Sequence, residues 1–299
     1  MPATRRIPRI ILAGAIATAL AACSPASDPV AGATPARAGT PATAPAQPAP
    51  PPATIDDVAV ASFLASTYGP AAGPTGEWST TPTDAGFRIE DESDGQVIRT
   101  VCEREPVTRD GQPALLLAIC GTVQGAGHPA SGVNDFFLLR REGDALAAAA
   151  SAHMLEFGSA GSPGDVDAAR LGADLYGFVV ESGFYNMGQG VQTRHVVLPE
   201  AGGFVDAGWF RERLDNRDWM EGCRERGDCG QAGAYDIEFE LDIDDSDAAA
   251  AAYPLLVTES GTACGKPADA RYRLTLDPAT MTYAVPKALQ RDGCTTDAG

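Results

Sequence analysis

The sequence predicts a mainly β fold, an antiparallel meander built of repeated three-strand units, with one N-terminal helix. Short hydrophobic runs, many of them alternating with polar residues, recur over residues 86–285 with turn residues between them. Two long segments resemble each other at a spacing of 78 residues. Only one segment has apolar residues at helical spacing. Repeated meanders are typical of a β-sandwich or of a small propeller-like ring, and the pattern leaves both open.

The helix is predicted to begin at Thr54, whose hydroxyl can cap it, with Asp57 as the capping-box partner three residues on. Gly69 and Pro70 predict its end. We expect the helix to cover the main body through an apolar stripe of Val60, Phe63, Leu64, Thr67 and Tyr68.

Strands are predicted throughout the rest of the chain. They cover residues 86–90, 96–102, 114–120, 135–141, 145–151, 175–181, 192–198, 204–209, 235–243, 254–258, 270–276 and 281–285. Residues 176–205 and 253–283 share the order strand, long loop, strand, tight turn, strand, and residues 114–139 form a looser third copy. The general pattern of β-hairpins is an alternative explanation of this likeness.

An acidic strand is predicted over residues 235–243, because acids alternate there with Ile237, Phe239, Leu241 and Ile243. The alternation places the acids on one face, and a solvated face is the simplest interpretation. The alternative is a Ca²⁺ site where oxygen ligands crowd, although the glycine and distal glutamate of an EF-hand loop are missing. Its ligands would be Asp242, Asp244, Asp245 and Asp247.

Six cysteines remain when Cys23 is set aside, and an even number predicts disulfides in an oxidising compartment. Cys102 and Cys120 are equally distant from Gly111, so a three-residue hairpin loop would place them opposite each other. Cys223 and Cys229 would then close a small polar loop, and Cys264 and Cys294 would hold the C-terminal tail. The alternative of a metal site is poor, since no C-x-x-C occurs and the three histidines are far apart in sequence.

The N-terminus reads as a signal peptide, with three arginines before an apolar run that is too short to span a bilayer. The run ends in Leu20-Ala21-Ala22-Cys23, which resembles the lipobox of bacterial lipoproteins. A plain secretory signal and a short membrane helix are the alternatives. The resemblance implies cleavage after residue 22 and acylation of Cys23. Several acyl chains on one residue would form a stronger membrane anchor than a single acyl chain does. In the lipoproteins that it resembles, the residue after the cysteine influences sorting, and aspartate there is linked to retention in the inner membrane. Ser24 in that position therefore implies the periplasmic side of the outer membrane.

Residues 23–53 form a linker dominated by Ala, Pro and Thr, which has little to bury and is expected to be extended. It would tether a disulfide-braced β-rich periplasmic domain, residues 54–299, to the membrane.

The charge of the chain excludes nucleic acid as a partner. The leader carries three of the 22 basic residues and none of the 40 acidic ones, so the mature chain would have a formal charge of −21. Such a surface repels phosphate. Its simplest role is solubility, and the functional alternative is attraction of a basic protein.

Residues Ser182-Gly183-Phe184-Tyr185, expected in a loop over 181–190, form an S-G-x-Y tetrapeptide. It resembles the loop that bacterial periplasmic lysozyme inhibitors insert into the lysozyme cleft. The resemblance implies that Ser182 and Tyr185 hydrogen-bond around the catalytic carboxylates of such an enzyme, with Gly183 shaping the loop. The alternative is a loop whose Ser-Gly makes a turn and whose tyrosine packs locally.

Catalytic motifs are missing: there is no G-x-S-x-G, H-E-x-x-H or Walker loop. We therefore predict a non-catalytic binding lipoprotein without a resident cofactor, best explained as an inhibitor of, or immunity protein against, a lysozyme-like peptidoglycan hydrolase. The alternative is a structural or assembly lipoprotein that binds another envelope protein. A hydrolase with dispersed carboxylates is a third possibility.

Overall fold

Two antiparallel β-sheets pack face to face, and a further layer covers the outer face of each. The computed structural model describes residues 55–80, 95–229 and 233–294. The prediction of a mainly β, antiparallel fold with a helix near the N-terminus is confirmed. The predicted leader, linker and strand 86–90 lie outside the described residues.

The first sheet has the strand order β1-β2-β3-β4-β5. Its strands are β1 (Glu77–Thr80), β2 (Val97–Arg109), β3 (Gln112–Val123), β4 (Gly132–Glu142) and β5 (Ala145–Phe157). Helix α1 (Asp57–Tyr68) precedes them. Strand β1 was not predicted.

The second sheet has the order β12-β11-β10-β9-β8-β7-β6, and β13 also pairs with β11. Its strands are β6 (Asp165–Arg170), β7 (Tyr176–Asn186), β8 (Gln189–Glu200), β9 (Gly203–Asp215), β10 (Tyr235–Ile243), β11 (Leu255–Ala263), β12 (Lys266–Pro267) and β13 (Ala270–Leu274). Helix α2 (Arg217–Arg226) follows β9, and β14 (Leu276–Asp277), β15 (Thr282–Tyr283) and the 3₁₀ turn Lys287–Gln290 end the described chain. Strand β6 was not predicted either.

The layer between the sheets shows that the arrangement is a sandwich rather than a ring. Leu116 and Phe136 of the first sheet share a buried cluster with Phe178, Val180 and Val197 of the second. The rings of Phe136 and Phe178 lie 4.8 Å apart between centroids. Burial of these large side chains stabilises the packing of the two sheets.

The outer faces are also apolar, because strands buried on both sides need hydrophobic residues at successive positions. Leu115, Leu117 and Ile119 point away from the second sheet and pack with Val60 and Leu64 of α1. On the far side, the outer face of the second sheet packs against the C-terminal segment. Its cluster includes Phe210, Phe239, Leu255, Tyr283 and Leu289.

The N-cap of helix α1 lies two residues after the predicted cap, Thr54. Asp56 is the N-cap, and its carboxylate accepts a hydrogen bond of 2.8 Å from the amide of Ala59. A carboxylate accepts this bond as well as a hydroxyl does and also favours the positive end of the helix. The predicted end is confirmed, since Gly69 caps the C-terminus with a φ of 98°.

Helix α2 was missed by the sequence analysis, which treated Cys223 and Cys229 as the ends of a polar loop. Its signals are short but ordinary: Asp218 in the first turn, Arg224 and Arg226 in the last, and Gly227 in the left-handed conformation at the C-cap. Met220 and Cys223 are its buried residues.

The three-strand units are visible in the topology. β3-β4-β5 and β7-β8-β9 are continuous antiparallel meanders. In the C-terminal copy, β11 pairs with β13, but the third strand leaves the sheet and forms the separate β14-β15 pair.

The three predicted disulfides are present: Cys102–Cys120, Cys223–Cys229 and Cys264–Cys294. The expected three-residue loop at Gly111 was wrong. Arg109 pairs with Gln112 around a two-residue turn, so the register would misalign the first cysteine pair. A β-bulge between Val101 and Glu103 compensates, with Cys102 as the extra residue, and the two Cα atoms lie 5.6 Å apart.

Two buried ion pairs connect elements that are distant in sequence. Arg99 donates to Asp135 at 2.5 Å, and Tyr68 of α1 donates to the same carboxylate, so the helix is joined to the first sheet. At the other end, Arg291 binds Glu259 and Tyr272 donates to it at 3.0 Å, so the C-terminal segment is joined to the second sheet.

Candidate binding site

The hairpin between β7 and β8 is the best-defined projection of the second sheet. Asn186 pairs with Gln189, and only Met187 and Gly188 lie between them. Both have positive φ values, 51° and 82°. This is the geometry of a type I′ turn, whose twist matches that of the flanking strands and allows both strands to continue to the tip.

Helix α2 braces the hairpin from one side. The carbonyl of Gly188 accepts a hydrogen bond of 3.1 Å from the amide of Trp219. The Tyr185 hydroxyl donates to Asp218 at 2.6 Å, and this bond is the main cause that raises the pKa of Tyr185. The disulfide Cys223–Cys229 in turn closes the end of α2. The hairpin end is therefore held to α2 by one backbone and one side-chain hydrogen bond.

Phe184, Tyr185 and Met187 are exposed at the end of this hairpin, and we call these three residues the tip. They are 36%, 55% and 80% exposed. Among the described residues, only one other large hydrophobic side chain, Val58 of α1, is exposed. The ring of His128 lies against that of Phe184, with centroids 5.4 Å apart. Apolar residues gathered at one rigid point are typical of a binding surface.

The prediction of a loop over residues 181–190 was wrong, because residues 182–185 belong to strand β7. A two-residue turn leaves the rest of the segment free to pair with β8. Ser182 is half-buried, and its hydroxyl accepts a hydrogen bond of 2.7 Å from the amide of Gly158. Gly183 pairs with Gln192 inside the ladder. The structure thus brings Tyr185 to the surface and holds Ser182 below it.

A cleft of about 590 Å³ opens beside the tip. Phe184 and Tyr185 form part of its wall, and Gly158 and Pro163 line it from the loop after β5. Its charged lining is Asp165, Glu181, Glu212, Arg213 and Asp215. Four of these five groups are carboxylates, so the surface next to the tip is acidic.

Three charged residues form a shared contact at the cleft. The Nη2 of Arg194 donates to Glu181 at 2.7 Å and to Glu212 at 2.6 Å. Burial, followed by the charge of Glu181, raises the pKa of Glu212 to about 7, although Arg194 acts in the opposite direction. Glu212 is the extra residue of a β-bulge, since Gln192 pairs with Arg213 and Thr193 pairs with Arg211. Bulges re-aim side chains in this way near functional sites.

The predicted calcium ligands are placed at one end of β10 and in the turn after it. The expected alternation over 235–243 is confirmed. Hydrogen bonds from Ser246, and then the contact with Arg273 at 2.5 Å, lower the pKa of Asp244. Asp247 accepts from the amide of Ala249. In the described part of the chain, no three acids, cysteines or histidines are grouped to hold a metal ion, so Asp242, Asp244, Asp245 and Asp247 do not form such a group.

Cys23, the predicted acylation site, lies outside the described residues. Within the ranges that the structure describes, no helix is long and apolar enough to cross a membrane. The three disulfides are compatible with an extracytoplasmic location.

Comparisons with protein families, with curated proteins and with solved structures found no match to this chain. The site must therefore be interpreted from its own chemistry.

Sequence reasoning singled out Tyr185 but missed the other members of the site. Phe184 and Met187 were not distinguished from buried apolar residues, although Gly188 directly after Asn186-Met187 is compatible with a two-residue turn. Arg194 and Glu212 belong to different strands and carry no local motif, so only the fold reveals their contact.

Proposed function

We propose that this chain is a non-catalytic protein-binding module that docks a basic partner on the tip. One observation carries the proposal: three of the four exposed large hydrophobic side chains of the described residues are gathered at the end of a single braced hairpin. A preorganised projection loses little conformational entropy on binding, and aromatic and methionine side chains supply large contact areas.

Charge selects the kind of partner. The carboxylates Asp165, Glu181, Glu212 and Asp215 line the cleft next to the tip, and the whole chain carries a formal charge of −18. Complementary charge accelerates association and disfavours acidic competitors. A basic protein with a concave site is the partner that fits such a surface.

The partner that we propose is a lysozyme-like peptidoglycan hydrolase, with the chain acting as its inhibitor or as an immunity protein. The S-G-x-Y tetrapeptide and the acidic surface support this choice. Ser182 is half-buried and its hydroxyl accepts a hydrogen bond from Gly158, so the exposed Tyr185, Phe184 and Met187 would make most of the contacts.

We also propose that the domain is anchored by lipid on Cys23 to the periplasmic side of the outer membrane. The lipobox and the linker support this anchor. Replacing Cys23 with serine should transfer the chain from the detergent phase to the aqueous phase in a phase-partition assay. A chain that partitions unchanged would contradict acylation at this residue.

The full chain, purified in mild detergent, should be titrated against a panel of basic lysozyme-type enzymes while binding and peptidoglycan hydrolysis are measured. We expect capture of at least one enzyme with loss of its activity. Tyr185→Ala and Met187→Asp should each weaken binding by about tenfold or more, as expected of interface anchors.

Val58→Asp is the matched control, because Val58 is 77% exposed on α1 and is not part of the tip. It should bind like the unaltered chain. Equal binding by the tip variants would remove the hairpin from the interface. Capture of resident envelope proteins alone would contradict inhibition and favour the assembly role.

A further inference from the structure

Glu181 and Glu212 share one arginine at the edge of the surface that the proposed function uses. Their carboxylates both accept from Nη2 of Arg194, and Nε of Arg194 adds a second bond of 3.0 Å to Glu181. Two carboxylates against one guanidinium leave a net negative charge in a half-buried place. Both side chains line the same cleft as Phe184 and Tyr185.

The second carboxylate oxygen of Glu212 indicates how this net negative charge can be reduced. Oε2 of Glu212 is buried and has no hydrogen-bond partner among the described residues. An unpaired buried carboxylate oxygen is unfavourable. A proton on Glu212 provides a donor toward Glu181 and removes one charge, and burial together with Glu181 raises the pKa of Glu212 to about 7.

The other charged groups around the pair are already engaged. On β9, Arg213 lies 3.5 Å from Asp215 and also contacts Asp236 and Glu238 of β10. Arg217 of α2 donates to Asp215 and lowers the pKa of that carboxyl.

Two further groups face the cleft or the tip. Asp165 of β6 pairs directly with Glu181. His128 packs on Phe184 and places an imidazole beside the tip, so its contribution requires a separate control.

We propose that the Glu181–Glu212 pair is a proton-operated control of docking, in which protonation of the pair weakens the binding of a basic partner at the tip. Release of the proton adds one negative charge beside the interface and strengthens binding. This inference rests on the proposed function, since it regulates that same surface.

The first test needs no partner. A potentiometric difference titration of the full chain against Glu212→Gln should show one additional proton released by the unaltered chain near neutral pH. Release of that proton in the range of an ordinary glutamate, at about pH 4.5, would overturn the proposed regulation by protonation and leave the proposed function untouched.

The second test measures the affinity for a basic lysozyme-type enzyme at about pH 6 and about pH 8. The unaltered chain should bind about fivefold more tightly at the higher pH, as expected for one added charge in partly solvated surroundings. Glu212→Gln should bind weakly at both values. His128→Gln should retain the difference, which separates the carboxyl pair from the imidazole.

Glu181→Gln serves as a second variant in case Glu212→Gln folds poorly. It removes the neighbouring charge, so the pH dependence should move to lower pH. If the unaltered chain binds through the tip with equal affinity at about pH 6 and about pH 8, the proposed regulation by protonation is overturned and the proposed function is left intact. Failure of every basic enzyme to bind at either pH would overturn both.

Discussion

The hydroxyl of Tyr185 donates a 2.6 Å hydrogen bond to Asp218, and this bond joins the exposed end of a β-hairpin to the first turn of a helix. Without it, the aromatic ring would sample several rotamers at the surface. The bond therefore reduces the entropy that a partner must remove on docking.

Replacing Asp218 with alanine should weaken partner binding about threefold to tenfold while barely changing thermal stability, since both side chains are solvent-exposed. Titration of tyrosinate absorbance provides an internal check. Because Asp218 raises the pKa of Tyr185, that tyrosine should ionise at lower pH in the variant. Unchanged affinity together with a shifted tyrosine titration would show that the brace is irrelevant to docking.

Gly188→Ala should destabilise the hairpin. An added Cβ would lie 2.4 Å from the amide nitrogen of Trp219, and the residue has a φ of 82°. Gly202→Ala is the matched control, because Gly202 occupies the next two-residue turn with a φ of 85° and nothing within 4 Å of its Cβ position. Chemical denaturation should show a loss of about 1 kcal/mol for the control and roughly 2–3 kcal/mol for Gly188→Ala. Equal losses would mean that α2 does not pack on the turn.

Asp135→Asn should lower the free energy of unfolding by about 3–5 kcal/mol, because it leaves Arg99 buried without a counter-charge. Burial alone would raise the pKa of Asp135, but His153 and Arg99, with the amide of Met154 and the Tyr68 hydroxyl, lower it below its ordinary value. The stability from this carboxylate is thus present above the unfolded-state pKa and is lost as pH falls through the folded-state pKa.

Acid denaturation should accordingly be less steep in Asp135→Asn than in the unaltered chain. Tyr68→Phe is a milder control that removes one hydrogen bond and keeps the ion pair. A loss as large as that of Asp135→Asn would place the main energy in the hydrogen bond instead.

Glu212 should give the opposite dependence of folding stability on pH. Its pKa is raised from 4.5 to about 7, so the folded state binds more protons than the unfolded state between these values. Stability should therefore fall as pH rises through this interval and stay reduced above it. Thermal unfolding of Glu212→Gln, measured over the same interval, should lack this component. A melting temperature of the unaltered chain that rises steadily across the interval, equally in the variant, would contradict the proton on Glu212.

The local periodicity of the sequence was sufficient to predict secondary structure and burial wherever neighbours along the chain determine them. The alternation of Ile237, Phe239 and Leu241 predicted both the bounds and the buried face of β10. The apolar stripe and Gly69 predicted the burial and the end of α1. The Cys102–Cys120 pair also followed from spacing, although the turn at Gly111 was misjudged by one residue.

Tertiary structure decided what depends on cross-strand register and on contacts between distant residues. The bulge that aims Glu212 at Arg194 is a mismatch between two strands, and neither strand encodes it alone. Helix α2 is short, with Met220 and Cys223 as its only buried residues, so its apolar pattern is too brief to distinguish from a loop. The sequence alone determined the mainly β class, the end of α1 and the alternation of β10, because these follow from short-range spacing. The brace of the tip and the contact of Glu181 and Glu212 with Arg194 exist only once the chain is folded, because each depends on side chains from different elements.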